Sequence, residues 1–115
     1  MTIERIKVGP RMSQVVIHGD TVYLAGQVAD DPSADVAGQT SQILAKIDRL
    51  LAEAGTDKSK VLSANVWLSD ISTFDQMNAV WDVWVTPGQP PARATVESRL
   101  ARPEFKVEIM VVAAR

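Results

Sequence analysis

Two side chains in this sequence stand where a charge has chemical use. Arg93 follows Pro90-Pro91-Ala92 and opens the run Ala92-Arg93-Ala94-Thr95-Val96-Glu97-Ser98, so its backbone is stiffened from one side. A guanidinium placed this way can hold a carboxylate through two parallel hydrogen bonds. It can equally be a surface arginine paired with Glu97 or Glu108, and composition alone favours that pair. Glu108 lies inside Val107-Glu108-Ile109-Met110-Val111-Val112. A carboxylate in so apolar a run pairs across strands, faces water, or has its pKa raised by burial. The last case would suit a general acid or base. Unaided, the cross-strand pair is again the stronger reading.

Other chemistry finds less support. His18 is the only histidine, beside the turn Gly19-Asp20, and reads as an exposed hairpin-end side chain. A metal site or a Ser-His-Asp arrangement needs partners that the sequence does not place near it. There are no cysteines, which excludes disulfides, thiolate metal sites and a cysteine nucleophile, and fits a cytoplasmic location. Gly9-Pro10 and Gly26-Gln27 lack the glycine spacing of a phosphate loop. Trp67, Trp81 and Trp84 could stack on a flat ligand, but Trp81 and Trp84 at helical spacing read as core or interface. Twelve Lys and Arg against 14 Asp and Glu give a formal charge of -2, with no electrostatic reason to expect nucleic acid. No stretch approaches the roughly 20 apolar residues of a membrane span, and the first residues do not resemble a signal peptide.

The elements that must position these residues follow from periodicity. Residues 14–18 and 21–28 alternate as two strands around Gly19-Asp20, a hairpin. Asp30-Asp31-Pro32-Ser33 breaks the pattern. Residues 35–54 read as a helix, with Val36, Thr40, Ile43, Leu44, Ile47, Leu50, Leu51 and Ala54 on one stripe, Ser33 and nearby acids at its start and Gly55 at its end. Lys46 and Glu53 are expected to face water. Residues 61–68 form a strand. A second helix runs from about 73 to 85, with Phe74, Met77, Val80, Trp81 and Trp84 on its apolar stripe, and the prolines from Pro87 onward end it. Strands at about 92–98 and 105–113 close the chain.

The order is β-β-α-β-α-β-β, an α+β fold in which two helices cover one face of a sheet of four or five strands. All 115 residues form a single domain, with 46% hydrophobic residues sufficient for one core. The last strand is apolar at Val107, Ile109, Val111 and Ala113, and on its other face at Met110 and Val112. A strand apolar on both faces needs cover on both. Two helices supply one cover, so partner subunits are expected to supply the other.

Five segments in order carry a resemblance. Gly9-Pro10, Tyr23-Leu24-Ala25-Gly26-Gln27, Met77-Asn78, Pro91-Ala92-Arg93-Ala94-Thr95-Val96-Glu97 and Lys106-Val107-Glu108-Ile109 together resemble the RidA/YjgF family over nearly the whole chain. Residues 12–18, 77–85 and 107–114 look most like its YoaB-like branch. The resemblance implies a fold similar to trimeric chorismate mutase, a homotrimer with ligand sites in clefts between subunits. It also implies hydrolysis of 2-imino acids, such as those formed from 2-aminoacrylate, to 2-keto acids and ammonia, without metal or cofactor. Carried over residue by residue, the carboxylate-binding arginine is Arg93 and the water-positioning glutamate is Glu108. Thr95 stands where many members have cysteine, Asn78 matches an asparagine of the second helix, and Gly26 matches the glycine of the Gly-Gln pair. The chain departs from the pattern at Arg11 and Met12, where an aromatic residue is usual, at Ala25 for serine, and at Met110 for a second acid. Arg11 thereby becomes a candidate substrate contact.

On this reading Arg93 fixes the plane of a protonated imine and Glu108 orients the attacking water. The rival from another class is a non-catalytic trimer that binds a small carboxylate without turning it over. An RNA-directed activity is a third reading, disfavoured by the acidic balance and by the lack of a basic strand face studded with aromatics.

Overall fold

Six strands form one sheet in a computed structural model that describes residues 1–115. In chain order the elements are β1 (Ile3–Val8), β2 (Ser13–His18), β3 (Thr21–Leu24), α1 (Val36–Glu53), β4 (Val61–Leu68), α2 (Phe74–Trp84), β5 (Ala92–Glu97) and β6 (Val107–Ala114). Across the sheet the strands run β1-β2-β3-β6-β4-β5. Every pairing is antiparallel except β4 with β5. A parallel pair needs a crossover, and α2 supplies it.

The mixed α+β architecture with two helices is the one expected, with one strand more. Residues Ile3-Glu4-Arg5-Ile6-Lys7-Val8 show no clean alternation, because β1 is an edge strand bonded on one side only, and five of its six residues are exposed. Charged, exposed edges are a common protection against stray pairing. The third strand also ends at Leu24 rather than 28. The chain bends there and returns to the sheet through a lone bridge between Gln27 and Ile109.

Alternation in the central strands sends one set of side chains under the helices. Val15, Ile17, Val22, Leu24, Ala64, Val66, Leu68, Val107, Ile109, Val111 and Ala113 join Ile43, Ile47, Leu51 and Met77 in one cluster of 22 buried residues. The cap of α1 is Asp35, whose carboxylate accepts from the Gly38 amide at 2.8 Å. Ser33, expected there, instead serves a turn in which Asp31 accepts from its amide and hydroxyl. The same Asp-x-Ser device recurs at Asp57-Ser59 and Asp70-Ser72, ahead of β4 and α2. Such local bonds stop the chain from continuing as helix or strand. They also hold the three carboxylates below the usual Asp range. Gly55 follows α1 with φ of +80°, a conformation that a side chain disfavours, so the helix ends where the sequence predicts.

Lys46 departs from expectation. Its ammonium donates to the Val28 carbonyl at 3.0 Å and to Asp30 at 2.9 Å, pinning the 28–31 loop to α1. No helix is long and apolar enough to cross a membrane.

Candidate functional site

The opposite, uncovered face of the sheet carries half-buried and exposed apolar groups. Val16, Tyr23 and Val112 stand in register across β2, β3 and β6, and Val96, Trp67 and Glu108 across β5, β4 and β6. The burial of β6 alternates buried and intermediate along its whole length. One set meets the helices; the other has no helix over it.

Arg93 lies on the helix side, at the sheet edge. Its register partner is Ala64, a core residue, so its side chain turns toward α2. The guanidinium sits 5.0 Å from the Trp81 ring centroid and 5.8 Å from that of Phe74, with Nη1 3.9 Å from the Met77 sulfur. These cation–π contacts hold the planar group without neutralising it. No carboxylate comes within ion-pair distance. Glu97, one suggested partner, accepts the Ile71 amide at 3.0 Å instead. Burial lowers the guanidinium pKa, and Asp82 pulls it back up. It stays a cation at any physiological pH.

Two residues on, Thr95 faces the same side, paired with Val66, and its buried hydroxyl has no hydrogen-bond partner. An orphan buried hydroxyl costs about 1–3 kcal/mol. Asn78 shares the α2 stripe of Phe74, Met77 and Trp81 and is half-buried. The sequence marked that stripe as core. Its second use, clasping a guanidinium, is legible only once β5 is placed beside it.

Glu108 occupies the bare face. It has no ion-pair partner, and burial alone raises its carboxyl above the ordinary range. Its carboxylate lies directly over Gly26, where an added Cβ would come within 2.2 Å of Oε2. Glycine at 26 is therefore a matter of space for Glu108 rather than of backbone freedom.

The six candidate residues thus fall into three places. Arg93 and Thr95 lie at the β5 edge, and Asn78 lies on the α2 stripe whose Phe74, Met77 and Trp81 contact Arg93. Glu108 and Gly26 gather on the bare face. Arg11 is exposed in the turn between β1 and β2, at the far side of the sheet. Within one chain Arg93 and Glu108 are separated by β4, about 10 Å across and about 10 Å along it, and point to opposite faces. They cannot touch one small ligand in the same protomer. No three His, Cys, Asp or Glu side chains cluster as a metal site.

The family model for endoribonuclease L-PSP matches residues 2–115. A RutC family protein from Haemophilus ducreyi is 47% identical over 112 residues, covering 97% of this chain and 96% of its own. The RutC family protein YoaB from Escherichia coli K12 is 46% identical over 114 residues, covering 99% of both chains. The crystal structure of a YjgF family member from Neisseria meningitidis superposes with a TM-score of 0.98 at 45% identity, covering 100% of this chain and 96% of that one.

Proposed function

This chain belongs to the endoribonuclease L-PSP family, the family of the RutC and YjgF proteins, and from that premise we propose that it is a cytoplasmic 2-imino acid deaminase acting as a homotrimer. The observation that carries the proposal is an uncompensated Arg93 guanidinium, held by Trp81, Phe74 and Met77, while the only raised carboxyl, Glu108, faces the side of the sheet that lacks a cover. A second copy packed on the bare face would cover its apolar rows. It would also let Arg93 of one protomer meet Glu108 of the next. The site is then shared between subunits, as the family resemblance implies.

In that cleft Arg93 binds the carboxylate of a 2-imino acid through two parallel hydrogen bonds. The protonated imine carbon is already electrophilic. Glu108 accepts a proton from a water positioned on that carbon as the C–O bond forms, then returns it to the carbinolamine nitrogen, so that the C–N bond breaks to give the keto acid and ammonium with the carboxylate regenerated. Its raised pKa brings the carboxylate nearer neutrality as a base. Thr95 supplies a hydroxyl without a partner of its own, available to the carboxylate or the nitrogen. Arg11 of a neighbour is a further substrate contact in this scheme, and the side-chain preference of the site follows from the departures at Arg11, Met12, Ala25 and Met110.

The separation of Arg93 and Glu108 within one chain also favours a second reading if the protein does not assemble, a carboxylate-binding module without turnover. The test is release of keto acid from 2-aminoacrylate generated in situ by a dehydratase, alongside sedimentation. We expect turnover from a species near three times the 12.5 kDa chain mass. A monomer, or a trimer that binds keto acids and hydrolyses no imine, would sink the deaminase reading.

A further inference from the structure

Three cationic side chains converge on a cavity that the proposed reaction does not use. Lys7 of β1 and Lys46 and Arg49 of α1 line it with Gln14, Gln27 and Glu53. It lies between α1 and the β1–β2 end of the sheet, whereas Arg93 sits at the β5 edge. Gln27 exchanges both backbone hydrogen bonds with Ile109, which turns its side chain to the helix side, while Gly26 lies under Glu108 on the other face.

The backbone at Lys7 is the informative feature. It is the only non-glycine residue of the chain with positive φ, at +53°. Its neighbour Ile6 packs against the core, so a regular strand would turn Lys7 to the opposite face. The left-handed conformation instead brings its ammonium to α1, 3.7 Å from Glu53, with both side chains about half exposed at 55% and 45%. A loose, exposed ion pair returns less than such a backbone costs. Strain of this kind persists at binding sites, where it holds a group in place for a ligand.

The remaining donors are free to serve one. Lys46 spends two hydrogen bonds on Val28 and Asp30, leaving its third N–H. Arg49 has no carboxylate within ion-pair distance. Gln27, only 4% exposed, is locked by its Nε2 bonds to Gln14 Oε1 and the Ala25 carbonyl, giving the cavity a rigid floor. Three cations against Glu53 and Asp30 leave one positive charge in excess. That balance suits a single oxyanion group and not a polyanion. We infer that the cavity of Lys7, Lys46 and Arg49 is a second ligand site, for a small molecule bearing one carboxylate or phosphate group, separate from the Arg93 cleft.

The test is a proton–nitrogen correlation NMR titration of the full chain with sodium phosphate and, separately, sodium acetate, against sodium chloride at matched ionic strength. Saturable shifts are expected at the Gln14 and Gln27 side-chain amides and at Lys7, with at least one of the two oxyanions and not with chloride. Which oxyanion acts identifies the group. Arg49→Gln should weaken binding about tenfold or more, the usual effect of losing a charged hydrogen bond. Lys7→Gly relaxes the backbone, so it should weaken binding while Tm holds or rises, which a purely structural lysine would not do. Shifts matched by chloride, shifts centred on the neighbours of Arg93, or binding unchanged in Arg49→Gln would each overturn the site. So would a Lys7→Gly variant that loses stability and keeps binding.

Discussion

The two faces of the sheet are finished to different degrees. Under the helices, Ile43, Ile47, Leu51 and Met77 close over the strands, and the sheet residues there are almost wholly buried. On the other side Tyr23 is 46% exposed and Val96 49%, with Met110, Val112 and Trp67 half-buried. Arg93 belongs to the edge of the finished face and Glu108 to the middle of the bare one. A chain can complete one face with its own helices. On the proposed function, chemistry that needs both charges on one small molecule is completed by another copy.

The sharpest way to break this comparison is to remove the charge on the finished face. Arg93→Ala loses a two-point carboxylate clamp, each charged bond worth about 1.5–3 kcal/mol, so imine hydrolysis should fall on the order of 10²–10⁴-fold with the fold retained. Arg93→Lys should do little better, since an ammonium cannot reproduce the planar fork. Keto-acid release measures both. Near-normal rates in Arg93→Ala would move the carboxylate anchor elsewhere.

Glu108→Gln should cost about 10²–10⁴-fold in kcat with little change in KM, the usual scale for a general base. The two inactive variants then test whether the faces belong to different protomers. Mixed by co-refolding at equal amounts, Arg93→Ala and Glu108→Gln chains should regain about one quarter of wild-type activity, because random assortment around a closed ring builds that share of intact interfaces. A site contained in one chain would regain nothing.

A smaller effect is expected at Gly26. In Gly26→Ala the new Cβ occupies the space of the Glu108 carboxylate and displaces it. Roughly tenfold loss of kcat, the scale of about 1.4 kcal/mol in the barrier, is expected with the assembly intact. Rates equal to wild type would show that the position of this carboxylate is not critical.

The smallest effect is thermodynamic. Burial raises the Glu108 pKa, so the folded state holds its proton more tightly than the unfolded chain. That preference is fully present below the unfolded value, near 4.5, and is lost as pH rises through the folded value. Glu108→Gln should therefore raise Tm slightly at pH 7, with the gain vanishing toward pH 4. A gain that is independent of pH would point to packing rather than charge.

Much of this architecture was legible beforehand because it is periodic. The strand at 61–68 and both helices fell within a residue of their predicted limits, since apolar steps of two and of three to four residues are properties of the chain alone. The edge strand β1 was not legible, because an exposed strand bonded on one side needs no apolar alternation. Lys46 was misread for a related reason. Its carbonyl and carboxylate partners lie in the 28–30 segment, 16 and 18 residues away, and no local pattern records such a bond. The positions of Arg93 and Glu108 were readable as types in unusual company, but not their surroundings.

Residue type and order were enough to define two helices, a sheet apolar on both sides and two charges in apolar runs, because burial preference and periodicity act over a few residues. Only the folded chain could decide that Glu97 bonds the Ile71 amide rather than Arg93, that Trp81 and Phe74 clasp the guanidinium, and that Glu108 rests over Gly26. Those contacts depend on strand order. The sheet places β4 between β5 and β6, so two residues 15 apart in sequence face opposite ways, a relation set by hydrogen-bond register across three strands.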